Sequence, residues 1–387
     1  MKKINNPFLD EIISARRWLH EHPELSYKEY ATTKYIREKI QSWNLDLKPF
    51  STLDTGGYVD VGTGEMPMLG FRADIDALPI TENTGHSIKS KNDGVMHACG
   101  HDFHTAIGVG LAKYYSQHSD ELNGRLRILF QPAEETYPDG ASHIHKEPLF
   151  NTMIGIIAVH VDLRFKIGEI AIKQGTACAS STLLKLKFGG PGGHTSRPHD
   201  TVDLIRITAL YISQLNGYLK SIIDSRDDFT LVFGSIHGGQ YHNIIPSEVS
   251  LTGTLRNFDN DVLNVLLKSI REFSANFATL YKCQINLDIP NSTPAIVNDP
   301  AMYSDLVRFC KDNGYDERLI EMEKPSMGAD DFAYYLRNVP GLYFQVGTEG
   351  SGSSHSSDFI LNDDLIEPAV DFIAQFIKFF LNKPFQK

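Results

Sequence analysis

Leu126-Arg127-Ile128-Leu129-Phe130-Gln131-Pro132-Ala133-Glu134-Glu135 joins a short apolar run to a proline and two adjacent carboxylates. The run Leu126–Phe130 reads as a buried strand, and Tyr58–Val61, Met66–Phe71 and Ile154–Val161 read the same way. A helix from about His104 to His118 separates the second and third of these in chain order. Near-continuous apolar strands alternating with helices predict a largely parallel sheet flanked by helices, hence an α/β domain. Ligands of such sheets bind beyond the carboxyl ends of the strands, where Gln131–Glu135 falls.

Further from this stretch, Asn6-Pro7 resembles a helix N-cap followed by proline at the first helical position. Phe8, Ile12, Ala15 and Leu19 then share one helical face that ends at Pro23. Ser26 and Glu29 form a capping-box pattern ahead of a second helix running to Ile40. Near Cys178 the pattern changes. Leu184, Leu186 and Phe188 alternate with Lys185 and Lys187, as in a half-exposed strand. A helix with Val202, Ile205, Ala209, Ile212 and Leu219 on one face follows, then strands Phe229–Ile236 and Val249–Leu255. A helix over Asp261–Tyr281 and a strand at Cys283–Leu287 complete a β-α-β-β-α-β order, the ferredoxin-like arrangement. The α/β pattern resumes after Pro290, with helices near 300–313 and 330–337, a strand at Leu342–Val346 and a closing helix over 363–381. The expected organisation is one catalytic domain, 1–178 with 292–387, interrupted by an inserted α+β domain, 179–291.

The chain of 387 residues is 41% hydrophobic and 22% charged, which disfavours disorder or coiled coil as its main organisation. A net charge of −11 argues against a broad grip on nucleic acid. No apolar run is long enough to span a bilayer, and the basic start lacks a signal-peptide core. These features, with four scattered cysteines, predict a cytosolic protein with reduced thiols.

The densest chemistry lies in Met96-His97-Ala98-Cys99-Gly100-His101-Asp102-Phe103-His104. Thiolate and imidazole are ligands for zinc and its neighbours, although a polar loop with capping histidines has the same composition. Glu134 and Glu135 could divide metal binding from base catalysis, or form a solvated acidic turn. His160 ends an apolar strand, Asp74 and Asp76 follow another, and His355 follows Leu342–Val346. Metal-capable groups at successive strand ends argue for a shared site, because each is destabilising there unless paired or coordinated. In the inserted domain, a glycine-rich loop carries His194. Asn243 and Arg256 are suited to a substrate carboxylate, or to a surface ion pair.

The ordered series Phe-Arg-Ala-Asp-Ile-Asp-Ala-Leu-Pro (71–79), Met-His-Ala-Cys-Gly-His-Asp (96–102), Gln-Pro-Ala-Glu-Glu (131–135), Gly-Gly-His…Pro-His (192–199), Asn-x-Ile-Pro (243–246), Gly-Thr-x-Arg (253–256) and Met-Gly-Ala-Asp-Asp-Phe (327–332) spans almost the whole chain. It resembles the aminoacylase, hippurate hydrolase and auxin-conjugate hydrolase branch of the metal-dependent aminoacylase/carboxypeptidase family. The resemblance implies a metallopeptidase-like catalytic domain and an inserted lid and dimerisation domain. It implies two divalent ions, zinc or manganese, held by Cys99, His101, Glu135, His160 and His355. Glu134 falls on the general base, His194 on the lid histidine, and Asn243 and Arg256 on the carboxylate-binding positions. Asp74 falls on an aspartate that supports the metals. Phe103 stands where that family has glycine, a change expected to narrow the pocket.

The implied reaction is amide hydrolysis of an N-acyl-L-amino acid by a water that the two ions acidify. Glu134 takes its proton and passes one to the leaving amine, while His194 stabilises the oxyanion. The substrate is a small molecule, and the implied assembly is a homodimer or higher homo-oligomer through the lid. Rival readings are a metal-dependent dipeptidase or carboxypeptidase, an N-acetyl-diaminopimelate deacetylase, a cysteine hydrolase using Cys99, and a non-catalytic metal-binding protein.

Overall fold

In the computed structural model, which describes residues 9–62, 64 and 67–383, the run around Leu126–Phe130 becomes the strand Arg125–Gln131 of a seven-stranded sheet. From one edge the strands are Gly57–Gly62, Arg125–Gln131, Met68–Asp74, Met153–Asp162, Gly341–Gly347, Ile170–Ile172 and Leu319–Glu321. The central pairings are parallel, and Leu319–Glu321 also runs parallel to its neighbour. Gly57–Gly62 and Ile170–Ile172 join antiparallel to their inner neighbours, so the sheet is mixed rather than uniformly parallel. Leu69, Phe71, Ile128, Phe130, Ile157 and Phe344 are all buried, in one core with residues of the helices Leu9–Glu21, Tyr30–Gln41, His101–Gln117, Pro300–Asp312 and Ile366–Asn382. Burial on both faces is why these strands read as continuous apolar runs. The register sets Asp74 opposite Gln131, and His160 opposite Gln345. Chemistry placed at these carboxyl ends therefore shares one edge of the sheet.

The chain divides into two compact units. One comprises Met1–Ala177, Val297–Lys324 and Asp330–Lys387; the other comprises Cys178–Ile296 with Pro325–Ala329. The second unit holds an antiparallel sheet in the order Gln284–Thr293, Ser181–Gly189, Glu248–Asn257, Phe229–Gly238. Its helices, Leu204–Ile222 and Asn260–Tyr281, pack with that sheet into a separate core that includes Leu184, Leu186, Phe188, Tyr211, Leu251 and Leu266.

Several sequence expectations need correction. In Leu204–Ile222 the buried stripe is Leu204, Ile207, Thr208, Tyr211, Leu215 and Leu219, whereas Ile205 is 46% exposed. Asp203 caps this helix by accepting from Arg206 N, which sets its start and turns Ile205 and Ala209 outward. The segment Asp331–Arg337 is a 3₁₀ helix rather than an α-helix. Ile170–Ile172 and Leu319–Glu321 were not anticipated, being only three residues each. The Ser26–Glu29 capping box is not made: the Glu24 carboxylate accepts from Ala31 N at 3.1 Å and Thr32 N at 2.7 Å instead. The expected cap at Asn6-Pro7, with Phe8 and Met66, lies outside the described residues.

Candidate active site

The helix His101–Gln117 begins three residues before the expected His104, so His101 and His104 sit one turn apart on one face. His101 Nδ1 faces the Asp76 carbonyl oxygen at 3.0 Å and the Asp76 carboxylate at 3.2 Å. A carbonyl and an ionised carboxylate only accept, so Nδ1 carries a proton, and in the neutral ring that binds a metal the lone pair falls on Nε2. His160 is set in the same way. Its Nδ1 donates to the Val161 carbonyl at 2.8 Å, and its Nε2 lies 3.5 Å from Cys99 Sγ. Gly100 separates Cys99 from His101 at φ +88°, where a Cβ would approach Val161 Cγ2 to 2.3 Å. Only glycine lets this loop run so close to the strand that carries His160.

Glu134 and Glu135 follow Ala133, a non-glycine residue at φ 59°; His355 is also left-handed, at φ 68°. The backbone N–H of His355 donates to Ala98 O at 2.8 Å, which joins its loop to that of Cys99. His355 Nε2 lies 3.2 Å from Glu135 Oε1, and His101 Nε2 lies 3.8 Å from the same oxygen and 3.9 Å from Glu134 Oε2. Five overlapping groups result among the described residues, Cys99–His101–His160, Cys99–Glu135–His355, Asp74–His101–His104, His101–Glu134–Glu135 and Glu134–Asp330–Asp331, with ligand atoms within 4.8 Å of one another in each. Buried His101 Nε2 has no hydrogen-bond partner among the described residues. Lone pairs left so in a buried place are destabilising unless something binds them. Thiolate, imidazole and carboxylate donors of this kind fit divalent cations.

The electrostatics agree with that fit. Burial, then Glu135, Asp330 and Asp331, raise the Glu134 carboxyl well above the usual carboxylate range, against His101. Burial and Cys99 likewise push Glu135 up to about 7. Both shifts oppose the ionised carboxylate, and a bound divalent ion would reverse them.

Three residues of the site carry roles that the motifs alone did not assign. Asp76 accepts from both His101 Nδ1 and, at 3.0 Å, the backbone N–H of Glu135. His104 donates from Nδ1 to Asp74 Oδ1 at 2.7 Å, and its Nε2 accepts from Val161 N at 3.0 Å. Arg72, 1% exposed, donates to Gln131, Asp74 and Asp331. Burial opposes ionisation of Asp74, but Arg72, His101 and His104 outweigh it and hold the carboxyl far below its usual range. Asp74 Oδ2 lies 3.7 Å from His101 Nε2. His97 is buried with neither ring nitrogen partnered among the described residues, and it is not part of these groups. Phe103 narrows no pocket: it is buried in the core with the Arg16 guanidinium 4.2 Å over its ring. At two residues from His101 it points to the other side of the helix.

His194, Asn243 and Arg256 belong to the second unit. His194 and Ile244 pair in a short two-stranded ladder, and Thr195 N donates to Asn243 O at 3.2 Å. The backbone N–H of Ser196 donates to His194 Nδ1 at 3.1 Å, which leaves Nε2–H as the outward donor of the neutral ring. A cavity of about 340 Å³ beside this ladder is lined by Thr195, Tyr241, His242 and Ile244 among others. Arg256 Nη1 donates to Met327 O at 2.7 Å.

A mixed α/β sheet with cysteine, histidine and glutamate gathered at its strand ends defines a metallohydrolase. The description "Peptidase family M20/M25/M40" matches residues 70–378, and the chain belongs to that family, as a metal-dependent hydrolase acting on linear amide bonds. It is similar to N-acetyl-L-cysteine deacetylase of Bacillus subtilis, with 33% identity over 95% of this chain and 88% of the relative. It is also similar to N-acetyldiaminopimelate deacetylase of Priestia megaterium, with 31% identity over 95% and 98%. A solved structure from Bacillus subtilis, described as a dinuclear metal binding peptidase from M20 family, superposes with a TM-score of 0.83 at 30% identity over 97% and 98% of the two chains.

Proposed function

We propose that this protein hydrolyses N-acyl-L-amino acids, with Cys99, His101, Glu135, His160 and His355 holding two divalent ions and Glu134 acting as general base. The observation that carries this reading is the gathering of those five side chains beside a second carboxylate, Glu134, whose Oε2 lies 3.9 Å from His101 Nε2. Zinc suits the thiolate and imidazoles, and manganese suits the carboxylate and imidazoles. Divalent ions bound there supply Lewis acidity to the scissile carbonyl and acidify the attacking water. Glu134 accepts a proton from that water as its oxygen attacks the acyl carbon, and returns one to the amine nitrogen as the C–N bond breaks. Asp76 keeps the His101 lone pair on Nε2, and Arg72 and His104 keep Asp74 ionised beside it. His194 donates from Nε2 to the developing oxyanion, and Arg256 with Asn243 receives the α-carboxylate.

The two similar deacetylases support a short acyl group, and the second of them favours an N-acetyldiaminopimelate deacetylase as the runner-up. We take the protein as a cytoplasmic homodimer joined through the second unit, with that unit acting as a lid. Among the described residues the strand Phe229–Gly238 pairs on one side only, and it exposes Val232 and Ile236 by 60% and 51%. The test is to strip metal with EDTA, restore zinc or manganese, and assay N-acetyl, N-benzoyl and dipeptide substrates. The reading requires EDTA to abolish turnover and one metal to restore it on an N-acyl-amino acid. Dipeptides as the preferred substrate would move the function to a peptidase, and activity surviving EDTA would favour a cysteine hydrolase.

A further inference from the structure

We infer that Ser26 and Glu29 are positioning residues for the Glu134–Glu135 pair, fixing the backbone on both sides of Glu134; this rests on Glu134 being the general base. Their spacing is that of a capping box, yet neither caps the helix Tyr30–Gln41, whose first N–H groups are taken by Glu24. Both side chains turn instead toward the edge of the sheet. Glu29 Oε1 accepts from Ala133 N at 2.9 Å and from Tyr27 N at 3.0 Å, while its Oε2 accepts from Thr55 Oγ1 at 2.8 Å. Ser26 Oγ donates to Asp76 Oδ2 at 2.7 Å, the oxygen that accepts from Glu135 N at 3.0 Å. The N–H before Glu134 thus ends on Glu29, and the N–H after it ends on an aspartate braced by Ser26.

The backbone between them needs holding. Ala133 sits at φ 59°, a left-handed conformation that an alanine keeps only where its surroundings impose it. It is fully buried, and its carbonyl accepts from Gly140 N at 2.7 Å. Glu29 is also fully buried, so its carboxylate loses hydration without meeting a cation among its hydrogen-bond donors. A buried acid directed at a strained peptide next to the base is accounted for by what it holds. Because Glu134 and Glu135 are adjacent, a small rotation at Ala133 would swing the two carboxylates together and spoil their separate tasks.

The experiment compares Glu29→Ala, Glu29→Gln, Glu29→Ala with Ala133→Gly, Ser26→Ala and Glu134→Ala, each metal-replete, for kcat, KM, metal content and thermal unfolding. Glu29→Ala should lower kcat by about 10²-fold, the usual effect of displacing a reacting group by an ångström, with KM and the metal content unchanged. Glu29→Gln should restore most of the rate, because its amide oxygen still accepts from Ala133 N while its NH₂ meets the Thr55 hydroxyl. Ala133→Gly should recover part of the loss in Glu29→Ala, because glycine takes φ 59° unaided. Ser26→Ala, which removes one hydroxyl, reads the same effect several-fold smaller should Glu29→Ala fail to fold. In a Glu134→Ala background Glu29→Ala should cost nothing further. Unchanged kcat in Glu29→Ala, or in Ser26→Ala if the former does not fold, overturns the inference. So does loss of metal in step with activity, or a Gln variant as slow as the Ala variant. Near-normal turnover of Glu134→Ala itself would instead overturn the functional reading on which the inference rests.

Discussion

Cys99 Sγ lies 3.5 Å from His160 Nε2, a spacing that serves either a shared cation or a thiolate–imidazolium pair. Burial opposes charge on both groups. The Cys99 thiol is nevertheless drawn far below its ordinary range, first by His160, and His160 is raised to about 9, first by Cys99. The two chemistries part on one variant. Cys99→Ala should lose bound metal, because its thiolate is shared by the groups Cys99–His101–His160 and Cys99–Glu135–His355. Elemental analysis checks this; full metal content with activity abolished would point to Cys99 as a nucleophile.

Away from the site, Asp60 receives the Arg127 guanidinium at 2.6 and 2.8 Å. Burial raises its carboxyl, but Arg127, Arg125 and Lys48 outweigh that and leave it below the ordinary value. The stability it confers is therefore complete above the ordinary carboxylate pKa of about 4 and is lost as pH falls through the lower folded value. Asp60→Asn should destabilise the protein at pH 7 by roughly 1.5–3 kcal/mol, the range for a hydrogen bond to a charged group. Urea denaturation of the two proteins should begin to converge below about pH 4 and meet below the lower folded value; a gap that is constant with pH would contradict the charge assignment.

Arg256→Ala should weaken substrates bearing a free α-carboxylate by about 1.5–3 kcal/mol and spare their amidated analogues. Paired kcat/KM measurements decide this. Equal losses on both substrate types would make Arg256 structural, through its bond to Met327 O.

His194 is exposed on the second unit. If it serves the partner's site in a C₂ dimer, mixing Glu134→Ala chains with His194→Ala chains should restore roughly a quarter of wild-type activity, since half the dimers are mixed and each has one intact site. Background activity, with mixed dimers confirmed by mass spectrometry, would mean that His194 acts within its own chain.

What could be read from the sequence follows from how far each signal reaches. The apolar runs of the central strands and the motif series carrying Cys99, His101, Glu134, Glu135, His160 and His355 are local patterns, and the structure gathers those side chains. Ser26 and Glu29 present a local pattern that tertiary partners override, because Glu24 supplies the helix's first turn and frees them. Arg72 lies inside an apolar strand, and its buried aspartates arrive from Asp330 and Asp331, far along the chain. Asp76 and His104 stood inside quoted motifs, but the partners that give them work, Glu135 N and Val161 N, lie about sixty residues away. The three-residue strands Ile170–Ile172 and Leu319–Glu321 are too short to show a period.

The central claim is that Glu134 is the base beside a metal site it does not build. The most direct measurement is steady-state turnover of N-acetyl-amino acids by Glu134→Ala, reconstituted and shown by elemental analysis to carry the wild-type complement of metal. The account predicts a fall in kcat of roughly 10²–10⁴-fold with metal retained. Near-normal turnover of that metal-replete variant would contradict it.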